Sequence, residues 1–210
     1  MKKPIELFDS TITRCLKLMA LHRSLEKARS KGMSLPATIE EVCDLSRAAI
    51  VLAVSGMDAY FTSKFTELLV PFLKKKGPTP DLVTFLAKAG LNTTAALEML
   101  TMDRPYRRIR TLVEAHLDRV TTQQVSVIDE LFQAYGIKGF TKHANAMTKR
   151  KSLLPRIGKL VARRHEIVHD SDLNRHGRMQ PVDAKVLTRQ LADLSLFIHA
   201  CDHLADRIKK

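Results

Sequence analysis

The residues best suited to chemistry lie together in Arg163-Arg164-His165-Glu166-Ile167-Val168-His169-Asp170. This segment reads two ways. HEIVH matches H-E-x-x-H, in which two histidines one helical turn apart hold Zn²⁺ and the glutamate is the general base. A third ligand is then needed. One extension of the motif requires a glycine at position 172 and a histidine at position 175, where this chain has Asp172 and Arg175, with His176 one residue out of register. Another requires a downstream glutamate, and none follows Glu166. Asp170 adds a charge where such helices usually carry a neutral residue. His199 and His203 form a further i,i+4 pair on the last predicted helix. The expectation is that His165 and His169 ligate no zinc, which leaves a zinc hydrolase as the third of three functional readings.

The second reading takes Arg164 and His169 as R-x4-H, with the polar His165 directly after the arginine. Ile157, Leu160, Val161 and Val168 make the apolar stripe of the helix that ends there, and Arg164 falls on that stripe at i+7 from Ile157. A guanidinium in such a place is costly unless it is paired or at an interface. His165 and His169 border the stripe one turn apart, so the cluster is expected to face a groove or a partner rather than open water.

Helices must position these groups, because no segment alternates with period two for long enough to make a strand. Apolar residues from Pro4 to about Lys31 keep helical spacing, with Gly32 as the stop. Thr38 with Glu41 makes a capping box ahead of a second helix through IVLAVSGMDAYFTSKFTELL, which Pro71 and the KKKGP run are expected to end. Thr79-Pro80 opens a short helix closed by Gly90. Further helices are predicted near Thr94–Thr101, Tyr106–Val120 and Thr122–Tyr135. A loop-rich basic segment spans Gly136–Ser152, then a helix runs from about Leu153 to His169. The polar stretch DSDLNRHGRMQP follows, and a final helix covers about Val182–Arg207. An all-α fold of one domain over residues 1–210 is the expectation, without repeats or a linker.

Composition narrows the partners. Lys and Arg number 35 against 22 Asp and Glu, for a net charge of +13 and a pI near 9.9, a balance that points to a polyanion. Asp and Glu are absent from Leu131 to His165, whereas Lys138, Lys142, Lys149, Arg150, Lys151, Arg156, Lys159, Arg163 and Arg164 fall there. A second basic group, Arg104, Arg107, Arg108 and Arg110, opens another helix. The bland alternative for both is a solvated face. Aromatics are only 5% and Trp is absent, so there is little from which to build a base-stacking platform. No apolar run reaches the ~18 to 20 residues of a membrane span, and MKKPIELFDS does not read as a signal peptide. Cys15, Cys43 and Cys201 are odd in number and far apart, as expected of thiols in a reducing compartment, so the chain is read as cytoplasmic.

The stretch ARRHEIVHDSDLN, Ala162 to Asn174, followed by one last helix, resembles the signature of HEPN domains, an all-helical superfamily with R-x4-6-H near the end of its penultimate helix. SGMDAYF, Ser55 to Phe61, resembles the Ser/Ala-x-x-Glu/Asp-Ala/Gly-aromatic segment of the RiboL-PSP-HEPN subgroup. The resemblance implies a HEPN-like helical bundle with additional helices, and metal-independent cleavage of RNA without a cofactor. Toxins of HEPN–MNT pairs often carry a tyrosine two residues after the histidine. Here that position is Ser171, so silencing by tyrosine modification is not expected.

Cleavage by a ribose 2′-OH needs a proton acceptor, a proton donor and positive charge on the phosphorane oxygens. One histidine cannot hold both protonation states. Two copies across a two-fold axis supply two His169 side chains and two Arg164 guanidinium groups, with His165 either orienting the phosphate or pairing with its symmetry mate. Asp58, set in the apolar run of the second helix, is expected to hold Arg164 or His169. Lys142, Lys149, Arg150, Lys151, Arg156, Lys159 and Arg163 are the expected RNA-binding residues. An endoribonuclease of stress response, toxin–antitoxin pairing or phage defence is the first reading, with RNA, a homodimer and an antitoxin protein as partners. A non-catalytic nucleic-acid-binding or scaffold protein of the same fold is the second.

Overall fold

The computed structural model describes residues 2–35 and 37–209. Among them the chain is all-α: α1 (Pro4–Ser30), α2 (Ile39–Lys76), α3 (Pro80–Lys88), α4 (Thr93–Met99), α5 (Pro105–Leu117), α6 (Val125–Gln133), α7 (Phe140–Met147), α8 (Leu153–His169) and α9 (Ala184–Asp206), then a 3₁₀ turn at Arg207–Lys209. An isolated antiparallel bridge, Leu173 to Met179, is the one piece of β pairing among the described residues. No helix is long and apolar enough to cross a membrane among these residues.

Local signals explain several helix starts. The Thr38 amide donates to the Glu41 carboxylate at 2.6 Å and the Glu41 amide to the Thr38 hydroxyl at 3.2 Å, the reciprocal pairing of a capping box. Those Thr38 hydrogen bonds hold the Glu41 carboxyl below its ordinary value. Thr79 caps α3 through the Leu82 amide at 3.0 Å. α2 departs from expectation by running through Pro71 to Lys76. The proline removes one backbone hydrogen bond, a loss of ~3 kcal/mol in an isolated helix. Leu68, Leu69 and Phe72 are buried on either side of it, and that packing keeps the helix continuous.

The chain divides into two compact units, Met1–Met57 with Arg150–Ile198, and Asp58–Lys149 with His199–Lys210. In the first, Phe8, Ile12, Cys15 and Met19 of α1, Ile50, Ala53, Val54 and Met57 of α2, Leu153, Ile157 and Leu160 of α8, and Leu187, Leu191, Leu194 and Phe197 of α9 are all buried. Gly56 permits close approach of α1, since a β-carbon there would lie 2.9 Å from Thr11 Cγ2. Burial pushes the Cys15 thiol up to about 11.

The second unit is built on aromatic contacts. Phe65 lies 4.7 Å from Tyr135 and 4.8 Å from Phe85 between ring centroids, and Phe132 stacks on Phe140 at 3.9 Å. The buried Tyr135 hydroxyl donates to the Phe65 carbonyl at 2.6 Å, so its polar atom is satisfied. α7 lies inside the segment expected to be loop. Its start is capped from α6, because Asp129 accepts from the Thr141 amide at 2.7 Å and the Thr141 hydroxyl at 3.0 Å. The buried Lys64 ammonium sits 2.8 Å from both Asp202 and Asp206, and the Tyr60 hydroxyl donates to Asp202 at 3.0 Å.

Candidate active site

α8 presents the catalytic candidates over its last two turns. Leu153, Ile157 and Leu160 are buried, Val161 and Ile167 are half-buried, and Val168 is 47% exposed. The apolar stripe is thus covered at its start and open at its end. Near the start of α8, Arg150 and Arg156 donate to the two oxygens of the buried Asp193 at 2.9 and 2.8 Å. Arg156 also reaches the carbonyls of Ser152 and Lys151.

Adjacent arginines of α8 have opposite environments. Arg163 is engaged three times: Nη1 contacts Glu166 at 3.0 Å and Asp172 at 2.6 Å, and Nη2 donates to Asp172 at 2.9 Å. Asp172 is buried and is clasped from the other side by Arg47 Nε at 2.6 Å. Both guanidinium groups also donate to the Gln180 carbonyl. Arg164 is half-buried, and its Nε is buried with no hydrogen-bond partner among the described residues. A buried donor without an acceptor costs ~1 to 3 kcal/mol, more when charged. The carboxylates of Asp44, Asp172 and Glu166 are engaged by Arg47 and Arg163, whereas Arg164 Nε has no acceptor among the described residues.

His165 and His169 are exposed, with ring centroids 4.3 Å apart and planes tilted by 39°. Their helical spacing puts both on one face. His169 lies five positions after Arg164, which is about 140° around a helix axis, so one protomer does not put both on one face. Glu166, the would-be general base of a zinc hydrolase, is taken by Arg163 at 3.0 Å. Among the described residues no group of three or more His, Cys, Asp or Glu could hold a metal ion.

Four of the expected residues have other work. Asp58 was expected to support Arg164 or His169; its hydrogen bonds lie within its own unit, where it accepts from the Thr122 backbone amide at 2.6 Å, the Thr122 hydroxyl and the Gln123 side-chain Nε2. The reason is tertiary, since the fold brings Asp58 of α2 against the turn at Thr122 and Gln123 that precedes α6. Arg163, expected to bind RNA, clasps Asp172 and Glu166. Arg150 and Arg156 hold Asp193 while staying about half exposed, at 56% and 43%. Lys142, Lys149, Lys151 and Lys159 are exposed and without an ion pair among the described residues.

A feature that sequence reasoning missed follows His169 directly. The polar stretch between α8 and α9 contains a hairpin. The Asn174 amide donates to the Arg178 carbonyl at 2.8 Å, the Gly177 amide to the Asn174 carbonyl at 2.9 Å, and the Gln180 amide to the Asp172 carbonyl at 2.9 Å. Gly177 supplies the left-handed residue, φ +67°, that closes a three-residue loop. Its signal was the spacing Asn174-x-x-Gly177 between Leu173 and Met179. No family model, curated protein or solved structure matches the chain.

Proposed function

We propose that the chain is a metal-independent endoribonuclease of HEPN type that cleaves RNA as a homodimer in the cytoplasm, in stress response, toxin–antitoxin pairing or phage defence. The observation that carries this reading is Arg164: a half-buried guanidinium with a buried, unpartnered Nε, beside an arginine that takes the local carboxylates. An anion from outside the protomer satisfies it, and a scissile phosphate has the charge and acceptor geometry to do so. The exposed His165 and His169 rings supply proton-transfer groups near the same helix end.

The 140° between Arg164 and His169 is the reason for two copies. Pairing about a two-fold axis brings the Arg164 of one protomer beside the His169 of its partner, and the exposed Val168 at the end of the stripe offers apolar surface to that contact. One His169 is then neutral and takes the 2′-OH proton, while the other is protonated and gives a proton to the 5′-oxygen as it leaves. Arg164 neutralises the phosphorane. The free lysines 142, 149, 151 and 159 deliver RNA electrostatically.

Arg164→Ala and His169→Ala each lose cleavage by about two or more orders of magnitude in EDTA-containing buffer. Products carry 2′,3′-cyclic phosphate and 5′-hydroxyl ends. Full activity in His169→Ala, or 3′-hydroxyl ends, overturns the mechanism. An unaltered chain that binds RNA and never cuts it establishes the scaffold reading in its place.

A further inference from the structure

The hairpin after His169 is held more firmly than a passive connection requires. Ser171 and Asp172 both adopt left-handed backbone, φ +52° and +58°, a conformation that costs a non-glycine residue energy. That cost is offset by the buried Asp172 carboxylate, clamped between Arg47 of α2 and Arg163 of α8. The tip is equally ordered. Asn174 Oδ1 accepts from the His176 and Arg178 amides at 2.9 and 3.1 Å, on top of the backbone bonds that close the turn.

What this rigid ribbon displays is positive charge. Arg175, His176 and Arg178 are exposed, and no Asp or Glu occurs from Leu173 to Val182. Arg175 Nε donates to His176 Nε2 at 3.2 Å, which orients both side chains. Neither Arg175 nor Arg178 meets a carboxylate among the described residues. The clasping residue Arg163 is the chain neighbour of Arg164, so the ribbon is tied to the same helical turn as the unmet guanidinium.

We propose that the hairpin 172–180 is a second RNA contact of the Arg164–His169 site, in which Arg175, His176 and Arg178 bind phosphates of the single strand flanking the scissile one. The ligand is chosen on the ribonuclease reading given above. The contact itself stands on the ribbon's own charge and rigidity. Phosphate is the chemistry such a tip fits, since arginine binds it bidentately and a preordered loop loses little freedom on doing so.

The test uses the full chain with His169→Ala, so that RNA stays intact, and a labelled single-stranded RNA oligonucleotide titrated at several salt concentrations. Replacing Arg175 and Arg178 together by Ala weakens binding about tenfold at low salt and reduces the magnitude of the log–log salt slope by about 1.4, or ~0.7 per phosphate lost. Arg175→Lys with Arg178→Lys keeps the slope, because the charges remain. An unchanged slope and affinity in the Ala double variant overturns the proposal. So does an unchanged slope accompanied by loss of dimer in light scattering, which makes the ribbon a protein contact. Cleavage by the His169→Ala chain at the parental rate counts against the ribonuclease mechanism and leaves the ribbon contact to be decided by the slope.

Discussion

Asp172 is the residue whose removal tests most of the reasoning about the site's support. It is 1% exposed, and its oxygens lie 2.6 Å from Arg47 Nε and 2.6 Å from Arg163 Nη1. Taking one partner out of a buried ion pair costs ~3 to 5 kcal/mol, because the remaining charge is stranded. The lower end applies here. Arg47 keeps Asp44 at 3.1 Å and Arg163 keeps Glu166 at 3.0 Å, while both keep the Gln180 carbonyl. Asp172→Gly therefore loses ~3 kcal/mol from the pair. Asp172→Ala adds ~1 kcal/mol for a β-carbon at φ +58°, reaching ~4. Asp172→Asn tolerates the left-handed backbone and keeps one acceptor oxygen, so it loses less, ~2 kcal/mol. Urea unfolding followed by far-UV circular dichroism reads these differences, and at a slope of ~2 kcal/mol per molar the Ala midpoint falls by ~2 M. Hydrogen exchange at the Asn174, Gly177 and Arg178 amides accelerates in the same order, Asn, then Gly, then Ala. Gly and Asn variants within ~0.5 kcal/mol of the parent, the range of an ordinary surface change, would refute the clasp.

Asp58→Ala leaves the buried Thr122 amide without its acceptor, while the Thr122 hydroxyl keeps the Asp58 carbonyl at 3.0 Å, and lowers stability by ~2 kcal/mol; on the proposed ribonuclease reading, RNA cleavage per folded molecule stays at the parental rate, and a hundredfold loss there returns Asp58 to the site. Burial opposes ionisation of Asp206, yet hydrogen bonds from Lys64 and Lys209 hold its carboxyl below its ordinary value. A depressed carboxyl contributes stability above its unfolded pKa of ~3.9 and loses it as pH falls through the lower folded value. The parent should therefore exceed Asp206→Asn in stability at pH 7, and the difference should begin to shrink only as pH falls below about 4 and vanish below the folded value. Cys15 and Cys201 are buried, with burial raising both thiols, so a thiol reagent at pH 8 should titrate no more than Cys43 in the native chain and all three cysteines after denaturation. Two or more fast-reacting native thiols would contradict that packing.

The sequence by itself determined the all-α class, the helical segments that carry the motifs and the bounds of α8, Leu153–His169. Those features depend on interactions within one or two turns. The Thr38–Glu41 box spans three positions and Gly32 ends α1 at φ +76°, so a short window of sequence contains each cause. The i,i+4 spacing of His165 and His169 likewise fixes their shared face before any tertiary contact forms.

Only the tertiary structure decided which charged groups are engaged and which are left over. Arg163 and Arg164 are neighbours of identical type, and nothing local separates them. Asp172 selects Arg163 because Arg47, 125 positions away in the chain, holds that carboxylate in place. The cap on α7 comes from Asp129, twelve positions before Thr141, and the continuity of α2 through Pro71 comes from buried side chains. Asp58 was drawn into the site by its apolar surroundings, and its hydrogen bonds went to Thr122, 64 positions on. Propensity and periodicity act along the chain, whereas an ion pair or a cap is settled by which groups the fold brings within about 3 Å. For this chain that step decided which guanidinium was left without an acceptor.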